Sequence, residues 1–103
     1  MAKLNWTNQA NNDLISIAEY IALDSIKYAK IQVKRIRDKT LQLKEFPTSG
    51  RKVPEYDSPA IRELILGNYR IIHHIVDENR IDILTVHHSR RSLNLNLPEE
   101  INS

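Results

Sequence analysis

The apolar residues of this chain change their spacing once, near residue 60, and no other feature narrows its possible folds so far. Before that point they recur at helical intervals. Ala10, Leu14, Ile17, Ala18 and Ile21 make one stripe. Ala29, Val33, Ile36, Thr40 and Leu43 make a second, with Ile26 before it and Phe46 after it. Steps of three and four residues gather side chains on one side of an α-helix. Thr7 stands where the first helix needs a cap, and Asp24-Ser25 can end that helix and cap the next. Pro47 stops the second helix, and Gly50 follows in a loop. Past the change, Ile61 to Leu66, Tyr69 to Val76 and Ile81 to His88 are rich in β-branched residues and have lost the helical interval. The expected fold is α+β: an N-terminal strand at Lys3 to Trp6 and a helical hairpin over about 7–46, packed on one face of an antiparallel sheet. A loop holding Pro47, Pro54 and Pro59 spans 47–60, a β-meander spans about 61–88, and a tail covers 92–103. In the tail Leu93, Leu95 and Leu97 alternate before Pro98, a pattern suited to a short edge strand.

The meander can be put in register by arithmetic. Gly67-Asn68 is a two-residue hairpin signal with glycine in the first central position. Leu66 then faces Tyr69, and paired numbers sum to 135. If the turn at Asp77-Glu78-Asn79-Arg80 has two or four residues, pairs there sum to 157. Opposed residues share a face. One face then carries Leu64, Leu66, Tyr69, Ile71, Ile75, Leu84 and Val86, with Arg62, His73, Asp82 and His88 towards its ends. It is the more apolar, and the helices should cover it. The other carries Glu63, Arg70, His74, Thr85 and His87 and is expected to stay open. An odd second turn would flip the last strand and bring His88, not His87, beside Arg70. Arg62, on the apolar side, needs a partner, for which Asp82, Asp13 and Glu19 are candidates.

Length and composition set limits. At 103 residues the chain fits one domain over 1–103 with a modest core, and 41% hydrophobic content suits a compact fold. It contains no cysteine, so disulfides and thiolate metal sites are excluded. Neither a signal-peptide pattern nor about 20 consecutive apolar residues occurs, so a cytoplasmic protein with no membrane contact is expected. With Gly 2, phosphate-cradling glycine loops are excluded as well. The four histidines form two adjacent pairs, and neighbours on a strand point to opposite faces. In the register above His74 and His87 stand roughly 13 Å apart at ~3.3 Å per residue, too far to share a metal. Neither metal nor other cofactor is expected. Net charge is only +2, yet residues 25–45 hold Lys27, Lys30, Lys34, Arg35, Arg37, Lys39 and Lys44 against Asp38 and Glu45. Such a segment is a solvated helix face or a footprint for an acidic partner.

Arg70 falls opposite His87, with Glu63 diagonal to it, Arg51-Lys52 in the preceding loop and Arg90-Arg91 just past the last strand. An arginine fork beside a titratable histidine suits phosphate, and Glu63 as base with His87 as acid can in principle direct RNA cleavage by its own 2′-hydroxyl. Pairing of Glu63 with Arg70 as a structural contact is the simpler alternative.

Four runs then carry a resemblance. The first is Trp6-Thr7, Ala10, Asp13-Leu14, Ile17, Tyr20-Ile21-Ala22 and Asp24-Ser25. The second is Phe46-Pro47, Gly50-Arg51 and Val53-Pro54-Glu55. The third is Ile61-Arg62-Glu63-Leu64 with Gly67-Asn68-Tyr69-Arg70-Ile71-Ile72, and the fourth Ile83-Leu84, Val86, His88 and Arg90-Arg91. Together, across residues 6–91, they resemble the RelE/ParE toxins of type II toxin–antitoxin systems, and the Arg62-Glu63-Leu64 and Val86 to Arg91 runs look more like the ParE, plasmid-stabilisation, branch. The resemblance implies a toxin neutralised by a cognate antitoxin. ParE-type toxins poison DNA gyrase; RelE-type toxins cut mRNA in the ribosome. Tyr69-Arg70 matches the RelE arginine position, and Arg90 or Arg91 the second. The strand lysine positions hold Ile61 and Glu63, and no tyrosine follows Tyr69. The expectation is therefore a gyrase-binding toxin without chemistry of its own, contacting target or antitoxin through Arg51, Lys52, Arg70, His87 and Arg91. The alternative is a ribosome-dependent endoribonuclease using Arg70, His88 and Arg90, with His87 and Glu63 secondary.

Overall fold

A computed structural model describes residues 1–89. β1 (Lys3–Trp6) leads into α1 (Asn8–Ala22), and α2 (Ile26–Thr40) runs on into a 3-10 turn over Leu41–Lys44. A two-residue β2 (Arg51–Lys52) precedes β3 (Ile61–Leu66), β4 (Tyr69–Asp77) and β5 (Arg80–His88). The caps fall where the sequence puts them: Thr7 Oγ1 accepts from Ala10 N at 3.1 Å and Ser25 Oγ from Tyr28 N at 3.1 Å. Gly67 takes the positive φ, 57°, that the first residue of this hairpin turn demands. No helix among the described residues is long and apolar enough to cross a membrane.

The five strands form one sheet in the order β1-β5-β4-β3-β2. β3, β4 and β5 are consecutive antiparallel hairpins, as the spacing predicts. The edges differ from a plain meander. β1 lies parallel to β5, so the sheet is mixed, and part of the expected 47–60 loop pairs with β3 as β2. β1 and β5 are joined by the helical hairpin and three intervening strands, so no tight turn ties them and they can run parallel.

The register of β3 with β4 follows the predicted sum throughout, from Ile61↔His74 to Leu66↔Tyr69. That of β4 with β5 follows it only at the ends. Tyr69↔His88, Arg70↔His87 and Ile72↔Thr85 match, as does Asp77↔Arg80, but His73 faces Ile83 and Ile75 faces Ile81. Two bulges that cancel explain this: Leu84 is extra in β5 and Val76 is extra in β4. Between them the faces of β5 are exchanged. Ile81 and Ile83 enter the core under the helices, where Asp82 and Leu84 were expected, and Leu84 packs on the opposite side. The N-terminus of α1 is tied to the Leu84 bulge. Thr7 Oγ1 donates towards Ile83 O at 2.8 Å and Leu84 O at 3.1 Å, while the Asp13 carboxylate accepts from Thr85 Oγ1 and, at 3.0 Å, from Val86 N.

Two cores result. The larger lies between hairpin and sheet, with Leu14, Ile36 and Leu43 meeting Leu64, Ile71, Ile81 and Ile83. The smaller lies on the other face, where Val53, with Tyr56, packs on Ile61, Ile72 and Leu84. The proline-rich segment around Val53–Pro59 is thus a strap over a face expected to be open. Arg62 is held by that strap as well: it donates to Pro59 O and Gly50 O, each at 3.0 Å, rather than to Asp82, Asp13 or Glu19.

Candidate functional site

Arg70 lies on the strap side of the sheet, two residues along β4 from Ile72 and not beneath the helices. It is buried, 8% exposed, and its nitrogens are engaged by carboxylates. Glu63, opposite Ile72 on β3, takes Nε at 2.5 Å, and Glu55 of the strap takes Nη1 and Nη2 at 2.7 and 2.8 Å. Glu63 also accepts from Arg51 Nε at 2.7 Å, because β2 places Arg51 directly opposite it. Two arginines and two glutamates close a neutral quartet whose innermost side chain, that of Glu63, is 0% exposed. A buried carboxylate this deep requires compensation of this kind. The pairing holds Glu55 below the usual carboxylate range, its bond to Arg70 being the largest cause, and raises Arg70 further above its ordinary value, again chiefly through Glu55.

This geometry brings some of the sequence-derived candidates together and parts others. Arg51, Glu63 and Arg70 meet in the quartet, and His87 stands opposite Arg70 on β5. Lys52 is exposed on β2, opposite Arg62. His88 stands opposite Tyr69, so it lies on the other face from Arg70, with its ring edge-on to Tyr69 at 5.6 Å between centroids. Arg70 and His88 therefore do not share a site. Arg90 and Arg91, and the strand suggested by Leu93 to Leu97, lie outside the described residues. Glu55 was legible only as part of a motif, since nothing local marks a loop glutamate as the partner of an arginine fifteen residues on.

A buried histidine lies on the opposite, helix-side face of the sheet, next to Ile72 on β4. His73 is 0% exposed, and among the described residues neither ring nitrogen meets a partner in hydrogen-bonding geometry. Burial pushes its pKa down to about 4; the nearby Ile71 carbonyl acts against that shift and the Arg62 charge adds to it. Gly50 makes room for the ring. A Cβ there would stand 2.8 Å from His73 Cε1 and 2.6 Å from the Glu63 carbonyl oxygen, so only glycine lets this backbone pass.

The helical hairpin offers a surface of another kind. An open groove between α1 and α2 has Ala18, Ala22, Ala29 and Val33 along it, and Ile26, 66% exposed, beside them. Lys30, Lys34, Arg37, Glu19 and Asp38 rim it. Lys34 pairs with Asp38 one turn on, and Arg37 stacks on Trp6 at 4.8 Å while donating to Asn11 at 3.3 Å. The alanines were only partly read as core. At 18, 22 and 29 they keep the floor low, which leaves a channel instead of a filled seam. Among the described residues no three His, Cys, Asp or Glu side chains are grouped as metal ligands.

Comparison with known proteins fits this fold. No curated protein is similar enough to count as a match. Among solved structures, one from the chromosomal ParDE toxin–antitoxin system of P. aeruginosa superposes with a TM-score of 0.70 at 26% identity, covering 85% of this chain and 96% of that one. Residues 4–93 match the model of the ParE toxin of the type II toxin–antitoxin system parDE. That match runs from β1 through the helical hairpin, the strap and the whole meander, and on it the chain belongs to the ParE toxin family.

Proposed function

We propose that this chain is the toxin of a type II pair that acts by binding, blocks DNA gyrase in the cytoplasm, and is neutralised by a cognate antitoxin. The observation that carries the reading is the occupation of Arg70. Its Nε, Nη1 and Nη2 are all engaged by Glu63 and Glu55, which leaves no fork for a scissile phosphate while Glu55 is seated. The separation of Arg70 from His88 by the thickness of the sheet supports it, because a general acid must reach the atoms it serves. The antitoxin contact we propose is the α1–α2 groove. Its apolar floor suits the apolar face of a helix, and Lys30 and Arg37 on its rim suit acidic flanks.

The experiment is a supercoiling reaction with purified gyrase and rising amounts of the full chain. Loss of supercoiling, reversed by the protein encoded beside this gene, is expected. In parallel, ribosomes translating a defined message should leave it uncut. Intact supercoiling together with cuts at the ribosomal A site, abolished by Arg70→Ala, would replace this reading with the endoribonuclease.

A further inference from the structure

The two glutamates that hold Arg70 are not equivalent. Glu63 is on a central strand, its side chain is fully buried, and Arg51 holds its other oxygen. It cannot leave without stranding a charge in the interior. Glu55 sits between Pro54 and Pro59 on the strap, and its side chain is 40% exposed. It faces the outer edge of the guanidinium, the planar fork that receives a carboxylate with two parallel bonds. We propose that this outer fork of Arg70 is a receptor for a carboxylate of an acidic partner, and that Glu55 occupies it in cis as a replaceable latch.

The surroundings fit such a ligand. With Glu55 swung out, Arg51 and Arg70 would face Glu63 alone, so the mouth would turn from neutral to basic. Arg51 is already exposed, at 62% of its side chain. Ile65, directly opposite Arg70 on β3 and 44% exposed, gives an apolar neighbour for a side chain flanking the acid. Glu55 also names the chemistry, because the group seated there now is a carboxylate. An intramolecular occupant holds an effective concentration in the millimolar range or above. Isolated acids therefore cannot displace it, and only a partner anchored elsewhere on the toxin can. The latch thus rewards a partner that brings both an anchor and an acid. The inference extends the antitoxin-binding reading to a second surface, but its test involves neither gyrase nor antitoxin.

The test uses the full chain, with the Arg70 Nε–Hε signal followed by ¹⁵N NMR and assigned with Arg70→Lys. The probes are acetyl-Leu-Glu-Leu-amide, its glutamine counterpart and inorganic phosphate. In the native chain none should move the signal saturably at millimolar concentration. In Glu55→Ala the glutamate peptide should do so with at least about tenfold tighter apparent binding than in the native chain, and the glutamine peptide should not. Glu55→Gln, which keeps the shape of the strap, should show a smaller gain in the same order. No response to the glutamate peptide in a folded Glu55→Ala or Glu55→Gln chain overturns the proposal. Phosphate binding as tight as the glutamate peptide, or tighter, overturns its carboxylate assignment in favour of a nucleic-acid phosphate. Loss of the folded amide spectrum in both variants would make Glu55 a structural necessity rather than a replaceable occupant, and would overturn it too.

Discussion

The strap side of the sheet and the outer seam of the helical hairpin both carry arginines, lysines and carboxylates, yet they are built to opposite ends. On the strap side every charge in the quartet has a partner, and Glu63 and Arg70 are withdrawn from water. Along the hairpin the charges stand in solvent around an apolar channel: the one ion pair there among the described residues, Lys34 with Asp38, has side chains 77% and 52% exposed. A cluster whose bonds are made internally stabilises the fold and offers a ligand only the place of its exposed member, here Glu55. A channel with uncovered apolar surface keeps its binding free energy in reserve. Cationic content near a suspected site is therefore a poor guide to function until the partners of each cation are known.

The largest expected break in this contrast comes from Arg70→Ala. It leaves Glu63 buried with only the exposed Arg51 to balance it, and should cost about 3–5 kcal/mol in urea unfolding, the usual result of removing one partner of a buried pair. Next comes acid. His73 binds no proton in the folded chain until near pH 4, whereas it titrates near 6.5 when unfolded. Its folded pKa is depressed, so the unfolded state binds more protons between those values. Stability should be full above pH 6.5 and fall as pH drops towards 4, by roughly 3 kcal/mol at most. In His73→Leu this component of the acid dependence should disappear from unfolding curves taken across that window. A third variant addresses the other region. Ala22→Glu puts bulk and negative charge into the groove, and should weaken antitoxin binding by about 10- to 100-fold in calorimetry, or roughly 1.4–2.7 kcal/mol. Its unfolding midpoint should hardly move. Smallest of all, Lys34→Ala removes only an exposed i,i+4 pair and should shift stability by less than about 0.5 kcal/mol. A Lys34→Ala effect as large as that of Arg70→Ala would erase the distinction between the two regions.

Much of the fold was legible because it rests on local rules. The helix stripes, the Thr7 and Ser25 caps, the glycine turn at Gly67-Asn68 and the register of β3 with β4 all follow from short-range periodicity and turn chemistry. The departures come from contacts distant in sequence. The bulges at Leu84 and Val76 have no glycine to announce them. The Leu84 bulge is stabilised by Thr7 and Asp13, more than seventy residues earlier. They exchanged Ile81 and Ile83 for Asp82 and Leu84, which is what a slip of one residue does. The site was legible in its members but not in its state. Opposition of Arg70 with His87, and the nearness of Glu63, followed from register. That the strap would fold back to deliver Glu55, and so close the face expected to be open, did not, because loop paths are set by packing such as that of Val53 on Ile61 and Ile72.

The contrast depends most on Arg70 and Glu63 acting together as an interior pair, and a double-mutant cycle measures that directly. Unfolding free energies of the native chain, Arg70→Ala, Glu63→Ala and the double variant give their coupling. A coupling of about 2 kcal/mol or more is expected for a pair this deeply buried. A value below about 0.5 kcal/mol, as exposed pairs show, would mean that Arg70 is not committed to the fold and would return it to the list of residues free to act on a target.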